Sequence, residues 1–547
     1  MTDATLIVTA LLVVLAALVG PSVPWIVMLV ALVALLTRHP LSVVVALVLI
    51  VAGRSHASAT ALDAPLPERI AGTAELVADP SAGAFGTTVE LRLGGRRWQA
   101  QVPRSDEWVL RPLLTGDRVV VAGRPRPFHG APEGWRRSRH LAGRLRVTRL
   151  ASGPRAPPWY RVANEVHRLV ADGAESFPSS SRSLYLGLVL GDDRGQSDLD
   201  RFRFQATGLG HLLAVSGQNV AFLMVVARPV LSRCTFRTRW VVGLVVLVLF
   251  VLVTRAEASV LRAAAMTAVA LLASTSGRVV SGARILALAV IGLLLVDPLL
   301  AAGLGFQLSV CATIGLLVGV RPISARIPGP RWFTEAFAST VSAQVATAPL
   351  LVDLNGGVPS VATLANVVAV PVAGLVMMAG LTIGLVAGTL VAPVAAVLNA
   401  PARVLVGWIE LVAAVGSRMP FPLLGIDRLA LVAVIGLLVL LGASRRRWTL
   451  PMAAVLAVAV LMPVSPPPGR TSLGRGVDLF IDDCGRRSVE LTGRIDVVET
   501  LGTLHRVGVV SADTVVGTSG AGAAVAEQLG ATFSPTEAVV APCTVTP

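Results

Sequence analysis

The sequence predicts a polytopic α-helical membrane protein of about 13 crossings, with an extracytoplasmic β-barrel domain and a small α/β segment near its C-terminus. Only 14% of the 547 residues are charged and 54% are hydrophobic, whereas an ordinary soluble protein carries about 25% charged residues. Apolar runs such as 5–20, 240–254 and 429–442 recur along most of the chain. One buried core could not absorb so many of them, which excludes a soluble enzyme of this size.

The formal net charge of +15 comes from arginine, because the chain contains no lysine. Exclusive use of arginine, with alanine, valine and glycine in excess, indicates a high-GC genome. A basic surface attracts anionic lipid or nucleic acid, and the placement of the charge decides between them. The four cysteines include no C-x-x-C pair, which disfavours a thiolate zinc site. Cys484 and Cys543 are available for a disulfide if the tail is exported.

Residues 1–53 are predicted to form the N-terminal transmembrane helices. Their three short apolar segments lie at about 4–20, 22–37 and 40–53. The first segment has no basic n-region and runs directly into further apolar sequence. We therefore expect a retained helix rather than a cleaved signal peptide.

Residues 54–158 form a basic region in which apolar and polar residues alternate with a period of two. The pattern predicts five strands, at 69–78, 86–93, 96–102, 117–124 and 141–149. Gly94-Gly95 marks a hairpin turn between the second and third strands. Five short strands are typical of a small barrel such as the OB-fold. We therefore predict an OB-like β-domain that ends at a proline-rich joint.

The rest of the chain divides into three regions. Residues 159–206 are predicted as interfacial amphipathic helices, and residues 207–464 as the transmembrane core. Residues 465–547 return to soluble composition and are predicted as a small α/β remnant. Its strand-like and helix-like stretches lie at 477–481, 507–510 and 521–529.

Arginine clusters predict the orientation through the positive-inside rule. They follow alternate crossings, at 233–239, 278–284, 321–331 and 445–447. All are cytoplasmic, with the β-domain and the tail outside, if the stretch 358–392 contributes an odd number of crossings. Pro371 and Gly374 interrupt that stretch, which predicts a bent or partly re-entrant element. The predicted location is the bacterial cytoplasmic (inner) membrane.

Polar residues occur at membrane depth, where each is costly unless it pairs or lines a pathway. We predict conduit or gating roles for His211, Ser216, Gly217, Gln218, Asn219, Arg262, Gln307 and Asn366. The alternative is a polar contact between helices, which amide and small residues also make. Arg262 either faces the conduit or bonds to a partner such as Asp297. Arg255 is expected to snorkel outward from a helix end, and Asp192 to cap a helix or lie on the surface.

Five stretches in a fixed order carry a family resemblance. They are Leu184–Asp192 (LYLGLVLGD), Gly208–Val220 (GLGHLLAVSGQNV), Ser259–Met266 (SVLRAAAM), Pro298–Leu317 (PLLAAGLGFQLSVCATIGLL) and Ala348–Pro371 (APLLVDLNGGVPSVATLANVVAVP). Together they resemble the ComEC family, the inner-membrane channel of bacterial natural transformation, in an actinobacterial-like short form. The resemblance covers roughly residues 180–375, and the N-terminal helices and β-domain match the family's usual front end.

The resemblance implies uptake of single-stranded DNA through a conduit formed by the membrane core. Many relatives place a histidine where this chain has Asn219, so any role of that imidazole is absent here. Fuller family members end in a metallo-β-lactamase-like domain, which needs an H-x-H-x-D-H cluster for its zinc ions. None of the seven histidines falls in that spacing. We therefore expect no nuclease or other enzyme activity, and no metal or cofactor.

The β-domain places arginines beside tryptophans, a combination that fits an incoming DNA strand. Guanidinium groups match phosphate, and aromatic rings stack on bases. The predicted DNA-binding residues are Arg96, Arg97, Trp98, Trp108, Trp135, Arg136 and Arg137. The alternative is an arginine-rich domain that rests on anionic lipid with its tryptophans in the core. Predicted partners are single-stranded DNA, the lipid bilayer, an extracytoplasmic DNA receptor, a cytoplasmic helicase or single-strand-binding protein, and a second copy in a homo-oligomer.

Other functions fit the same composition. A transporter of a small anionic solute would use the intramembrane arginine and histidine; inverted repeats would favour it, and none is detected between 207–330 and 334–464. A membrane-embedded hydrolase would need paired acidic or histidine groups, for which Asp297 and Asp353 are the candidates. A family member that no longer takes up DNA is a third alternative, compatible with the reduced tail.

Overall fold

A computed structural model of the chain describes residues 2–19, 40–83, 86–128, 132–213, 215–275, 280–355, 357–419, 423–424, 469–473, 477–481, 487–491, 497–506, 509, 512 and 514–517. The chain forms two compact units. One comprises Met1–Arg194, Ala214–Pro322 and Gly374–Arg403, and the other comprises Gly195–Leu213, Ile323–Ala373 and Val404–Pro547. Several predicted features lie outside the described residues: the helix at 22–37, the arginines at 445–447, both tail cysteines and the stretch 521–529.

The described helices are numbered here in chain order. They are α1 (Asp3–Val19), α2 (Pro40–Asp63), α3 (Glu107–Leu110), α4 (Glu133–Ser138), α5 (Pro158–Gly173), α6 (Ser179–Leu190), α7 (Asp198–Ala206), α8 (Gly217–Arg233), α9 (Phe236–Val253), α10 (Ala258–Thr275), α11 (Gly282–Val296), α12 (Leu304–Ser324), α13 (Arg331–Asn355), α14 (Ala362–Ala379), α15 (Leu385–Ala387), α16 (Ala392–Ser417) and α17 (Val497–Arg506). Short 3₁₀ turns lie at Arg104–Asp106, Gly210–Leu212 and Pro298–Ala302.

The described strands follow the same convention. They are β1 (Ile70–Leu76), β2 (Ser81–Gly83), β3 (Gly86–Leu93), β4 (Arg96–Val102), β5 (Arg118–Arg126), β6 (Leu141–Ser152), β7 (Val358–Pro359), β8 (Leu423–Leu424), β9 (Gly469–Ser472), β10 (Val477–Ile481), β11 (Arg487–Leu491) and β12 (Thr514–Gly517).

Long apolar helices dominate the chain. Within the described residues, those long and apolar enough to cross a membrane are Val43–Asp63, Leu304–Ser324, Arg331–Leu354, Ala362–Ala387 and Ala392–Ser417. Shorter apolar helices occupy Asp3–Val19, Thr238–Val253, Ala258–Ser274 and Gly282–Val296. This confirms a helical membrane protein, while the count of about 13 crossings stays a prediction.

Helix α2 continues past its predicted end at residue 53 as far as Asp63. Two polar side chains in this extension are satisfied by neighbouring helices. Ser55 Oγ donates to the Ala17 carbonyl at 2.6 Å, and Arg54 Nη2 donates to the Val296 carbonyl at 3.0 Å. Because the first charged residue finds a partner, it does not have to end the helix.

The β-domain is the five-stranded barrel that the sequence predicts, with one additional edge strand. Strand β1 pairs with both β5 and β3 and closes the ring β1-β5-β6-β4-β3. Strands β4 and β6 are parallel, and the other barrel pairs are antiparallel. The predicted Gly94-Gly95 hairpin is confirmed, with φ of 61° and 75°, the left-handed geometry that a two-residue turn requires.

The barrel core follows from the alternation of its strands. Inward side chains of β1, β3, β4 and β6 are fully buried, and the largest are Leu76, Leu91, Trp98 and Leu145. The edge strand β2 pairs only with β3. Its three residues are too few to show a period of two, so the sequence did not predict it.

The stretch 358–392 contains a helix that the two predicted interruptions, Pro371 and Gly374, do not end. Helix α14 runs through Pro371 and continues, through a π-helical turn at Gly380–Gly384, into α15. Pro371 and Gly374 therefore do not interrupt the helix, and the bent or partly re-entrant course of this stretch stays a prediction. The backbone irregularity lies further along, where Gly380 packs closely on Val189 and leaves no room for a Cβ.

The tail is a small α/β element, as predicted, with β10 at the expected 477–481. Its sheet has the order β12-β11-β10-β9, and α17 connects the parallel strands β11 and β12. Helix α7 packs on this sheet, where Phe202 shares a core with Leu479 and Leu504. The tail and α7 therefore form one hydrophobic core within the second unit.

Helices α5, α6 and α7 form within the stretch predicted as interfacial. Most of α6 is buried, including Leu184, Tyr185, Leu188 and Val189. This helix is therefore part of the first unit's interior. A location of the region at the membrane surface stays a prediction.

Candidate functional site

The polar segment around residue 216 forms the start of helix α8. Ser216 has an extended backbone (φ −93°, ψ 159°), and the helix begins at Gly217. Ser216 makes no side-chain hydrogen bond to the N–H groups of the first turn. Its hydroxyl instead donates to Asn219 Oδ1 at 3.2 Å. Ser216 thus does not cap the positive end of the helix dipole.

Asn219 ties the start of α8 to the end of α6. Its side chain is fully buried, with 0% exposure, and Nδ2 donates to the Leu188 carbonyl at 3.0 Å. Both the oxygen and the nitrogen of its amide are therefore engaged by the protein itself. In this arrangement Asn219 holds the backbone in place, and its conduit or gating role stays a prediction.

Arg262 on α10 lies directly against this helix start. Its guanidinium donates from Nε to Ser309 Oγ at 2.6 Å and from Nη1 to Met266 Sδ at 3.1 Å. A Cβ added at Gly217 would lie 2.7 Å from Arg262 Nη2. In the described part of the chain, no carboxylate lies within 4.0 Å of the guanidinium. The structure brings Arg262, Gly217 and Ser309 together.

The suggested pairing of Arg262 with Asp297 was wrong. Asp297 accepts instead from His140 of the β-domain, with 2.7 Å between Nε2 and Oδ2. Asp297 also caps the Pro298–Ala302 turn by accepting from the Leu299 N–H at 3.1 Å. Close by in sequence, Gln307 donates to the Ala301 carbonyl at 2.8 Å. Both polar groups thus stabilise a turn.

In the second unit, His211 and Asn366 meet at one backbone carbonyl. His211 Nδ1 lies 3.3 Å from the Gly208 oxygen, and Asn366 Nδ2 lies 3.4 Å from the same oxygen. Asn366 is buried and also donates to the Ala362 carbonyl at 2.7 Å. Gly208 has φ +69°, and a Cβ there would lie 2.4 Å from Ala362 Cβ. The sequence identified both residues as candidates, but only the fold shows that they share the Gly208 carbonyl as a partner.

A buried ionic cluster joins the β-domain to the first unit's helices, and the sequence did not reveal it. Arg255 donates from Nε to Asp79 Oδ2 at 3.0 Å and from Nη1 to Asn164 Oδ1 at 2.8 Å. Asp79 also accepts from the N–H and hydroxyl of Thr115, each at 2.7 Å. Arg255 was expected to snorkel outward, so its role in this cluster is a correction.

The second half of the cluster contains Asp192. Arg194 holds this carboxylate with two hydrogen bonds of 2.7 and 2.6 Å, and His167 Nε2 lies 3.4 Å from it. Asp192 was expected to be a cap or a surface charge, and its burial corrects that prediction. Its partner Arg194 lies only two residues away, whereas Asp79 and Arg255 are separated by 176 residues.

Burial and the two arginines set the pKa values of this cluster. Burial alone raises the pKa of Asp79, but the Arg255 and Arg194 guanidinium groups outweigh it and hold this pKa below its usual value. The pKa of Asp192 is lowered in the same way by Arg194. For His167, burial and then Arg255 lower the pKa. Two ionised carboxylates thus balance two guanidinium groups beside a neutral imidazole.

Most of the predicted DNA-binding residues of the barrel are engaged elsewhere. Trp98 is fully buried in the core, where its indole N–H donates to the Leu93 carbonyl at 3.1 Å. It cannot stack on a base, so this prediction was wrong. Arg96 bonds to the Ala64 and Pro65 carbonyls, Arg97 is half-buried, and Arg136 and Arg137 pair with Asp63 and Glu133. Trp108, with 69% exposure, stays accessible.

A different set of arginines forms the open basic face of the barrel. Arg124 lies directly opposite Arg146, and Arg126 lies opposite Arg144, across strands β5 and β6. All four side chains are exposed, and the described residues place no carboxylate within salt-bridge distance of them. Like charges in directly opposed positions destabilise a sheet. We call these four residues the barrel arginine face.

Aromatic rings flank the barrel arginine face. The Arg144 guanidinium lies 5.3 Å from the centre of the Phe128 ring, and Trp135 contacts Phe128 edge-on at 5.8 Å. Trp135 was predicted at a DNA surface, and it lies beside this face. The alternation of 141–149 marks Arg144 and Arg146 as outward residues, a signal that would have identified them.

Comparison with known proteins assigns the family. A family model described as Competence protein matches residues 188–465, slightly more than half of the chain. The chain belongs to the Competence protein family. ComE operon protein 3 of Bacillus subtilis (strain 168) is 31% identical over 161 residues, which are 29% of this chain and 21% of that protein. No solved structure matches the chain. The ComEC-family resemblance is thereby confirmed.

The Competence family match covers both polar sites but not the barrel. The matched residues 188–465 include the start of α8, Arg262, His211 and Asn366. They also include Arg255 but not its partner Asp79. The matched B. subtilis protein is much longer than the aligned part, because the match spans only 21% of its length. In the described residues no group of three or more His, Cys, Asp or Glu side chains could hold a metal ion.

Proposed function

We propose that the protein is a channel for uptake of single-stranded DNA across the cytoplasmic membrane during natural transformation. Family membership and the apolar helices support a membrane protein of competence. The observation that carries the DNA proposal is the barrel arginine face, since its like-charged pairs gain most from a polyanion laid across them.

The barrel topology also supports this ligand. Its ring order β1-β5-β6-β4-β3, with the fourth and sixth strands parallel, is compatible with the OB-like fold expected from the sequence. OB-folds bind single strands in grooves that combine positive charge with aromatic rings. The face provides four guanidinium groups, with Phe128 and Trp135 beside them. Fold alone does not assign function, so the argument rests on this surface.

The proposal sets an orientation and its partners. The barrel faces outward and takes the strand from an extracytoplasmic DNA receptor, and the arginine-rich loops face the cytoplasm. A cytoplasmic helicase or single-strand-binding protein supplies directionality by pulling or trapping the strand. The chain itself acts as a conduit rather than an enzyme, alone or as a homo-oligomer.

The proposal is tested by transformation of a deletion strain with exogenous DNA. Complementation with the wild-type gene should restore uptake of labelled DNA into the cytoplasm. A variant with all four face arginines changed to Gln should bind DNA at the cell surface poorly and transform rarely. The matched control removes four other exposed arginines of the barrel region: Arg69, Arg104, Arg111 and Arg155. Normal transformation by the deletion strain would refute the proposal.

A further inference from the structure

The start of helix α8 presents an unusual concentration of positive charge inside the protein. The helix has seventeen residues, and its first-turn N–H groups receive no side-chain cap from Ser216. Such a helix end carries a partial positive charge that favours an anion. On its own, this end would be ordinary, because water or a cap normally satisfies it.

Arg262 adds a second and independent positive group at the same point. The residue is only 8% exposed. Its Nε and Nη1 are bound by a hydroxyl and a thioether, both neutral, and its Nη2 makes no hydrogen bond within the described residues. A guanidinium buried without a counter-ion is costly, and a helix N-terminus beside it increases that cost. An anion at this point would offset both positive groups.

Gly217 sets the geometry that an anion would use. A Cβ at this position would lie 2.7 Å from Arg262 Nη2 and 3.1 Å from Ala263 Cβ. The missing side chain lets the guanidinium approach the backbone of the first turn. Ser259 holds α10 beside the start of α8. Its hydroxyl donates to the carbonyl of Val215, the residue before Ser216, at 2.6 Å.

We propose that the first turn of α8 and the Arg262 guanidinium form a binding site for one phosphate group of a phosphodiester. A guanidinium and backbone N–H groups are the donors that phosphate oxygens prefer. The inference rests on the proposed function, because the phosphodiester it assigns is that of the transported strand. Phosphate groups of lipid headgroups share the chemistry, and the test below separates the two sources.

The same site explains why Gly217 and Arg262 occur together. A single phosphate held by a few donors binds strongly enough to enter and weakly enough to leave, as conduction requires. The Ser309 hydroxyl holds the guanidinium by accepting a hydrogen bond from Nε. Ser309 is thus a positioning residue, while Arg262 touches the ligand.

The test measures binding of a fluorescent tetrathymidylate to the full chain in nanodiscs of zwitterionic lipid. The background carries Gln at the four positions of the barrel arginine face, so that this face does not contribute. Arg262→Gln should weaken binding about ten- to a hundred-fold, the loss of a charge-assisted contact. Arg262→Lys should be intermediate, because it keeps the charge and loses the planar fork.

Glycine variants separate the site from general packing. Gly217→Ala should weaken binding through displacement of Nη2, with little change in melting temperature. Gly292→Ala on α11 is the matched control, because a Cβ there meets nothing within 4 Å, and it should bind normally. If Arg262→Gln does not fold, Arg262→Lys and Gly217→Ala decide the outcome.

Three results would overturn the inference. The first is wild-type affinity in Arg262→Gln and Gly217→Ala. The second is equal binding of a methylphosphonate tetrathymidylate, which lacks the backbone charge. The third identifies a lipid site: anionic phosphatidylglycerol displaces the probe through Arg262, yet cells with Arg262→Gln transform normally. In each case the proposed channel function survives if the deletion strain still fails to transform.

Discussion

The salt dependence of DNA binding gives the sharpest test of the barrel arginine face. In the full chain in zwitterionic nanodiscs, we change Arg124, Arg126, Arg144 and Arg146 to Gln. Each arginine that contacts a phosphate of a single strand adds about 0.7 to the slope of log affinity against log salt. Four exposed arginines in two opposed pairs therefore predict a slope smaller by about 3.

The assay is fluorescence anisotropy of a labelled oligothymidylate between 50 and 200 mM salt, conditions over which electrostatic binding changes strongly. The control removes the four other exposed barrel-region arginines named above and should reduce the slope much less. Removing the opposed like charges should also raise the melting temperature of the protein without DNA. An unchanged slope in the face variant would show that these arginines do not contact the strand.

Three predictions concern the stability of the first unit. Asp79→Asn leaves Arg255 buried without its carboxylate and should cost about 3–5 kcal/mol of unfolding free energy, measured by chemical denaturation. The double variant with Arg255→Gln should recover part of that loss. If the losses of the two single variants simply add in the double variant, the two residues do not pair directly. The pKa of His167 is lowered in the folded protein, so the unfolded chain protonates first and stability should fall as the pH drops below about 6.5. His167→Gln should flatten this fall in melting temperature between pH 7.5 and 5.5, and an unchanged profile would exclude His167 as its source. Trp98→Ala should cost about 3–5 kcal/mol, whereas Trp108→Ala, at an exposed position, should cost little; equal losses would contradict the assigned core.

The barrel was predictable because its signals are local. A period-two alternation and a Gly-Gly turn specify strands and hairpin without knowledge of the rest of the chain. For Trp98 the residue type gave the wrong prediction, because a tryptophan among arginines is typical of a surface that binds DNA. Its neighbours in β4 place it on the inward side, where the indole N–H finds the Leu93 carbonyl.

The sequence predicted which polar residues belong to the sites, but not which groups they contact. Intramembrane polarity identified Arg262, Gly217 and Asn219, yet Arg262 pairs with Ser309 and Asn219 with a backbone carbonyl of α6. A sequence shows that a buried polar group needs a partner without showing which one the fold supplies. The Asp79–Arg255 pair was missed for the same reason, since its members are 176 residues apart.

Two residues that usually end a membrane helix, a proline and an arginine, do not end it in this protein. Pro371 does not end α14, because a proline in a membrane helix is tolerated when neighbouring groups satisfy the freed backbone. Arg54 does not end α2, because Val296 supplies an acceptor. For Arg54 the deciding contact comes from a distant helix.

The most direct test of the channel proposal is transport by the purified protein in proteoliposomes. An imposed membrane potential should drive a labelled single strand into the lumen, where it becomes protected from added nuclease. Double-stranded DNA of the same length and the methylphosphonate strand should stay outside, and Arg262→Gln should slow entry of the single strand. Entry of a small organic anion without any entry of DNA would contradict the account and favour a solute transporter.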